Sequence, residues 1–125
     1  MYANKYDVYK NNSVNYASKE QLLLMLVEGA VKFSKISRQA IVDKNMVKAN
    51  ENLKKTQEIF LELIVTLDTS KAPWMEQVRA LYIFIREKLV EVNIKKDVKQ
   101  LDEIIPLIEG VNKMWNDAYK KAKGQ

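Results

Sequence analysis

The chain has 125 residues, enough for one domain with a single core and too few for two. Apolar residues make up 47% and charged residues 30%, with only 3 glycines and 2 prolines, a balance that suits a helical globular protein and disfavours β architecture. Zero cysteines and zero histidines exclude disulfides, thiolate or Ser-His catalysis and imidazole- or thiolate-held metals, while the net charge of +5 is moderate and spread along the chain.

The first residues, "MYANKYDVYKNNSVNYAS", are polar and aromatic. No apolar stretch follows a basic head, so no cleavable signal is expected and the chain reads as cytosolic. We take residues 1–17 as an N-terminal arm and residues 18–125 as the folded domain. Tyr2, Tyr6 and Tyr9 stand at i, i+4 and i+7, so in a helix they would share one face. Two readings stay open: an aromatic staple that closes one end of the fold, or a removable cap that docks in a groove.

From Ser18 onward the apolar periodicity is helical. Ser18 with Gln21 three residues on forms a capping-box pattern, and it opens "QLLLMLVEGAVKF". On a wheel of about 100° per residue, Leu22, Leu23, Leu26, Ala30, Phe33, Ile36, Ala40 and Ile41 form the core stripe. Leu24, Val27 and Val31 fall outside it, which predicts a second, narrower apolar stripe. Polar joints near Asp43-Lys44, Thr69-Ser70-Lys71 and Lys95-Lys96 divide the rest into three further helices, and Pro73 suits the first turn of the third.

In the third helix, Trp74, Val78, Leu81, Tyr82, Ile85 and Leu89 make the core stripe, whereas Ile83, Phe84 and Val90 point away from it. The second and fourth helices have wide apolar arcs, with Ile59 and Val65, and Leu107 and Met114, at their margins. Pro106 breaks the pattern of "LDEIIPLIEGV" and removes a bond to Asp102, so a kink is expected there. Four helices joined by short links predict an all-α fold, an antiparallel up-down-up-down four-helix bundle. The longest apolar run, six residues from Leu22 to Val27, falls far short of the roughly 20 needed to span a membrane.

A contiguous apolar stripe left over after the core is satisfied is shaped to receive another helix. Leu24, Val27, Val31, Ile83, Phe84 and Val90 are therefore the candidate binding groove, with Tyr2, Tyr6 and Tyr9 as its candidate cover. No catalytic residue, cofactor or metal site is expected. Carboxylates such as Glu58 and Glu62, or Asp102, Glu103 and Glu109, sit in solvated lysine-rich runs rather than in a cleft that would tune them for acid-base work.

Taken in order, "YKNNSVNYAS", "LLLMLVEGAVKF", "ENLKKTQEIFLELIVTLD", "ALYIFIREKLVEVNIKKDVKQLDEI" and "MWNDAY" resemble the flagellar secretion chaperone family FliS over nearly the whole chain. The resemblance implies a non-enzymatic, ATP-independent cytosolic chaperone that binds the disordered C-terminal segment of flagellin. That segment would fold partly into helices laid in the grooves, staying unpolymerised and export-competent. The family pattern carries over at Tyr9, Leu24, Leu81, Tyr82, Arg86, Leu89, Asn93, Asp97 and Trp115, of which Tyr82, Leu89 and Trp115 read as core. Leu26-Val27-Glu28-Gly29 stands where the family commonly has "LYDG", Lys19 replaces a frequent proline, and Pro106 departs from the pattern.

The expected partners are flagellin's C-terminal segment and components of the flagellar export apparatus, with a monomer or weak homodimer when no client is bound. The alternative is a basic helical adaptor for another protein or for nucleic acid, prompted by a pI near 9.3. The chain has only three arginines, Arg38, Arg79 and Arg86, and no aromatic-basic interleaving outside the arm, so nucleic acid is not an expected partner.

Overall fold

Ser18 begins the first helix as the sequence predicts: its hydroxyl accepts the Gln21 N–H at 3.1 Å, and its own N–H donates to Gln21 Oε1 at 2.9 Å. The computed structural model describes residues 18–124. It comprises α1 (Lys19–Val42), α2 (Met46–Thr66), a short 3-10 turn (Thr69–Lys71), α3 (Met75–Lys95) and α4 (Val98–Ala122). Among the described residues there is no strand. The tyrosine cap at Tyr2, Tyr6 and Tyr9 lies outside them.

Each joint has a local cause. After Asp43, Lys44 takes a left-handed conformation (φ 59°), and Asn45 caps α2 by accepting the Lys48 N–H at 3.2 Å. Asp68 caps the 3-10 turn by accepting from Ser70 N at 3.0 Å and Ser70 Oγ at 2.6 Å. Ala72 is extended, and Pro73 follows it in the turn that leads into α3, two residues ahead of the helix rather than in its first turn as expected. Lys96, again left-handed (φ 52°), ends α3, and Asp97 caps α4 by accepting from Lys99 N at 3.0 Å and Gln100 N at 3.3 Å.

Links this short make successive helices antiparallel neighbours, and the bundle closes as α1–α2–α3–α4–α1. The α1–α2 contact is the most extensive and the α3–α4 contact the slightest of the four. Small residues explain the close pair. Ala30, Ser34, Ser37 and Ala40 on α1 and Ala49 on α2 are buried, and a Cβ added at Gly29 would stand 3.4 Å from Ile59 Cδ1. The buried hydroxyls stay satisfied within their own helices: Ser34 donates to the Val31 carbonyl at 2.9 Å, Ser37 to Phe33 at 2.7 Å, and Thr56 to Asn52 at 2.8 Å.

The core is built from Leu53, Phe60, Leu63, Tyr82, Ile85, Leu89, Leu101 and Ile108, all essentially inaccessible to solvent. Trp115 is 6% exposed, and its Nε1–H donates to the Tyr82 hydroxyl at 2.7 Å, tying α4 to α3. Phe60 meets the Tyr82 ring edge-on at 6.0 Å. Tyr82, Leu89 and Trp115 therefore occupy the core places expected of them.

The second stripe on α1 requires correction. Val27 is 1% exposed and belongs to the core, while Leu24 and Val31 are half-buried and packed against it. A helix in a closed ring of four has two neighbours, so its buried arc is wider than the single stripe drawn from a wheel. Arg38 and Lys35, on the same flank as Leu24 and Val31, pair with Asp102 and Glu109 of α4. The supposed extra stripe is thus the α4-facing half of one broad apolar arc. Ile59, placed at the margin of α2, is likewise core, and Trp74, assigned to the core, is 46% exposed ahead of α3. At Pro106 the assigned helix runs on without a break, with the proline on an exposed face where water can reach the carbonyl that lacks its partner.

Candidate client-binding grooves

Two rows of side chains leave α3 on opposite flanks, each at the i, i+3, i+7, i+10 spacing that keeps residues on one side of a helix. One row is Ile83, Arg86, Val90 and Asn93; Asn93 Nδ2 donates to Asn50 Oδ1 at 2.9 Å, so this flank faces α2. The other is Leu81, Phe84, Lys88 and Glu91; Glu91 Oε2 accepts from Gln100 Nε2 at 2.7 Å, so this flank faces α4. The predicted residues of α3 therefore divide between two grooves. Ile83 and Val90 belong to the α2–α3 groove, and Phe84 belongs to the α3–α4 groove.

In the α2–α3 groove the opposing row is Asn50, Gln57 and Ile64, with Lys54 and Leu61 one step further out. The antiparallel register set by Asn50–Asn93 and Phe60–Tyr82 brings Gln57 level with Arg86 and Leu61 level with Ile83. Ile83 is 38% exposed, Leu61 is exposed and Val90 half-buried. Arg86 lies at mid-groove, and its Nε is shielded from solvent with no hydrogen-bond partner among the described residues. At the far end, Lys96 Nζ donates to the Asn93 side-chain oxygen at 2.8 Å, which fixes Asn93 in turn.

In the α3–α4 groove, α4 contributes Gln100, Leu107, Met114 and Ala118, the last three apolar. Phe84 is 45% exposed, with Lys88 Nζ 5.6 Å from its ring centre, and Leu107 is also exposed. Leu81 and Met114 are half-buried against the core. Trp74 stands at the end of this groove, its ring 6.4 Å from Trp115, whose ring lies 6.0 Å from Tyr119 at a tilt of 30°. α3 and α4 touch least of the neighbouring pairs, and the buried Tyr82–Trp115 hydrogen bond joins them. Burial pushes the Tyr82 hydroxyl up to about 12; the Trp115 donor opposes this by favouring the ionised oxygen, and Tyr119 adds to it. At neutral pH Tyr82 is an uncharged acceptor for the indole.

The flank of α1 that carries Leu24 and Val31 offers much less open apolar surface. Lys35 Nζ lies 3.1 Å from Glu109 Oε2, and the Arg38 guanidinium grips both oxygens of Asp102. The Arg38 hydrogen bond holds the Asp102 carboxyl below its ordinary range. Two of the polar residues carried over from the family pattern have structural work at the α3–α4 corner: Asn93 bridges to α2 and Asp97 caps α4. Leu61 escaped sequence reasoning, and Arg86, though carried over from the family pattern, gave no sign there that its Nε would lack a partner among the described residues. Leu61 reads as a surface leucine on any wheel, and whether an arginine nitrogen finds an acceptor depends on the neighbouring helix.

The sequence model of the family described as flagellar protein FliS matches residues 2–122. The chain is 39% identical over 119 residues to a flagellar secretion chaperone FliS of Bacillus subtilis, covering 95% of this chain and 86% of that one. It is 27% identical over 115 residues to the flagellar secretion chaperone FliS of Campylobacter jejuni, covering 91% and 90%. The fold superposes on the crystal structure of a bacterial flagellar chaperone with a TM-score of 0.74, at 16% identity, over 97% of this chain and 99% of that one. By the family match and the near full-length identity to the Bacillus relative, the chain belongs to the FliS family of flagellar proteins.

Proposed function

We propose that this protein is a cytoplasmic export chaperone that holds the C-terminal segment of flagellin in the grooves flanking α3. The observation that carries the reading is the pair of apolar rows left open there, Ile83 with Leu61 and Phe84 with Leu107, on a chain of the FliS family. A helix or extended segment laid in either groove would remove large apolar side chains from water, at roughly 25 cal/mol per Å². That gain offsets the entropy of ordering a segment that is disordered when free.

Occupying a segment that flagellin needs for filament assembly blocks premature polymerisation and keeps the client unfolded enough for export. The work is stoichiometric binding, with no bond made or broken and no cofactor required. No described helix is long and apolar enough to cross a membrane, which fits a carrier that delivers its client to the export apparatus.

Isothermal titration with the C-terminal segment of the host's flagellin, alongside a scrambled peptide of the same composition, tests the reading. The native segment alone should bind, with a large negative heat-capacity change. Ile83→Lys and Phe84→Lys should each weaken binding at least tenfold while leaving helicity unchanged. Equal binding of native and scrambled peptides would overturn the proposal.

A further inference from the structure

Arg86 lies at the middle of α3, and its side chain presents an anomaly. The Nε is shielded from solvent, yet it has no acceptor among the described residues. A buried donor without a partner is uncommon in folded proteins and costs free energy until something accepts from it. The inner row of the α2–α3 groove holds Arg79, Arg86 and Asn93 from α3 and Asn50, Gln57 and Ile64 from α2, so it contains two guanidiniums and no carboxylate. The ion pairs among the described residues, Lys35–Glu109, Arg38–Asp102, Lys88–Glu91 and Lys113–Asp117, leave out Lys54, Arg79 and Arg86. Asn50, the acceptor one would look to, already takes the Asn93 amide. The groove thus offers apolar side chains at Ile83, Leu61 and Val90 beside an inner row whose only charges are the guanidiniums of Arg79 and Arg86, with Lys54 a further cation on the outer row.

We propose that the α2–α3 groove reads an acidic side chain: Arg86 takes an Asp or Glu of the bound segment, flanked by apolar residues seated towards Ile83 and Leu61 on one side and Val90 on the other. This rests on the chaperone reading above and specifies what one of its two grooves selects. The Nε–H and a neighbouring Nη–H form the side edge of the guanidinium, a fork that matches the two oxygens of a carboxylate. A chain end is a poor match for the site. Arg86 is in the middle of a 21-residue helix about 30 Å long, with apolar surface both before and after it, so a segment lying along the groove presents its interior there. The pairing also supplies register, because a segment shifted by one residue would set an apolar side chain against the guanidinium.

The test uses the full chain, as wild type, Arg86→Met and Arg86→Lys, titrated calorimetrically with the C-terminal segment of the host's flagellin. The peptide is used in native form, with each acidic residue changed singly to its amide, and with its terminal carboxylate amidated. One acid-to-amide change should weaken wild-type binding by about 30-fold or more, the loss typical of truncating one partner of a buried charge pair. Arg86→Met should lose the same factor, the two changes together should lose little more, and Arg86→Lys should recover only part. Arg86→Met should melt no lower than wild type, since removing an unpaired buried donor leaves nothing unsatisfied in the free protein.

Unchanged affinity in Arg86→Met would overturn the inference. So would a loss that no acid-to-amide change reproduces, a loss reproduced by terminal amidation, or a melting point several degrees lower with binding intact. Tight wild-type binding that ignores Arg86 leaves the chaperone reading standing and removes only this one. No wild-type binding of the native segment removes both.

Discussion

Replacing Tyr82 by phenylalanine isolates the buried hydrogen bond between the two least-packed helices. The change keeps the ring that Phe60 meets edge-on and removes the oxygen that accepts Trp115 Nε1–H at 2.7 Å. Because Trp115 is only 6% exposed, the indole N–H is left without a partner, which costs about 1–3 kcal/mol. For a domain of this size that is roughly 4 °C of melting temperature per kcal/mol. A cycle with Trp115→Phe, read by urea unfolding, should give a coupling energy of about 1 kcal/mol between the two positions. The pH dependence provides a second handle. The Tyr82 phenol is raised from 10.0 to about 12 in the folded state, so its contribution is complete below pH 10. It is lost as pH climbs from 10 through 12, where the unfolded chain ionises and the folded one resists, a change on the order of 2–3 kcal/mol. Phenylalanine does not titrate there, so the stability gap between wild type and Tyr82→Phe should narrow or reverse above pH 10. A variant as stable as wild type at pH 7, with a parallel profile at high pH, would refute the assignment of Tyr82 as the enclosed acceptor of Trp115.

Gly110 sits on an exposed face in the interior of α4, with no atom within 4 Å of an added Cβ, so Gly110→Ala should stabilise the bundle by about 1 kcal/mol in thermal unfolding. The Asp102 carboxyl, depressed by Arg38, stabilises the fold above its unfolded range and loses that contribution as pH falls through its folded value. Asp102→Asn should therefore flatten part of the acid limb of the stability curve while changing the neutral melting point little and in a salt-dependent way, because both partners are at the surface.

How far the sequence reached differs from one residue to the next. Ser18 and Gln21 and the polar joints were readable because caps and turns depend on a few neighbouring residues whose side chains meet their own backbone. Tyr82, Leu89 and Trp115 were readable as core because large apolar residues at helical spacing have nowhere else to go. Ile83 and Phe84 were rightly set outside the core stripe, yet nothing in their spacing said that they serve different grooves. That division follows from which neighbour each flank meets, and Asn93–Asn50 and Gln100–Glu91 decide it.

Val27 marks the limit most clearly. One helix wheel defines a face but cannot count the helices that will cover it, and α1, packed between α2 and α4, buries a wider arc than its strongest stripe implies. Ile59 was misjudged for the same reason, and Trp74 for the opposite one, since its apolar side chain falls just before the helix that was meant to carry it into the core. The sequence by itself determined the helices, their ends, their antiparallel order and the absence of imidazole and thiol chemistry, all properties of residue type and local spacing. Only the tertiary structure decided which apolar surface stays open and which donor, Arg86 Nε, lacks an acceptor among the described residues, because exposure and pairing belong to the contacts between helices and to no helix alone.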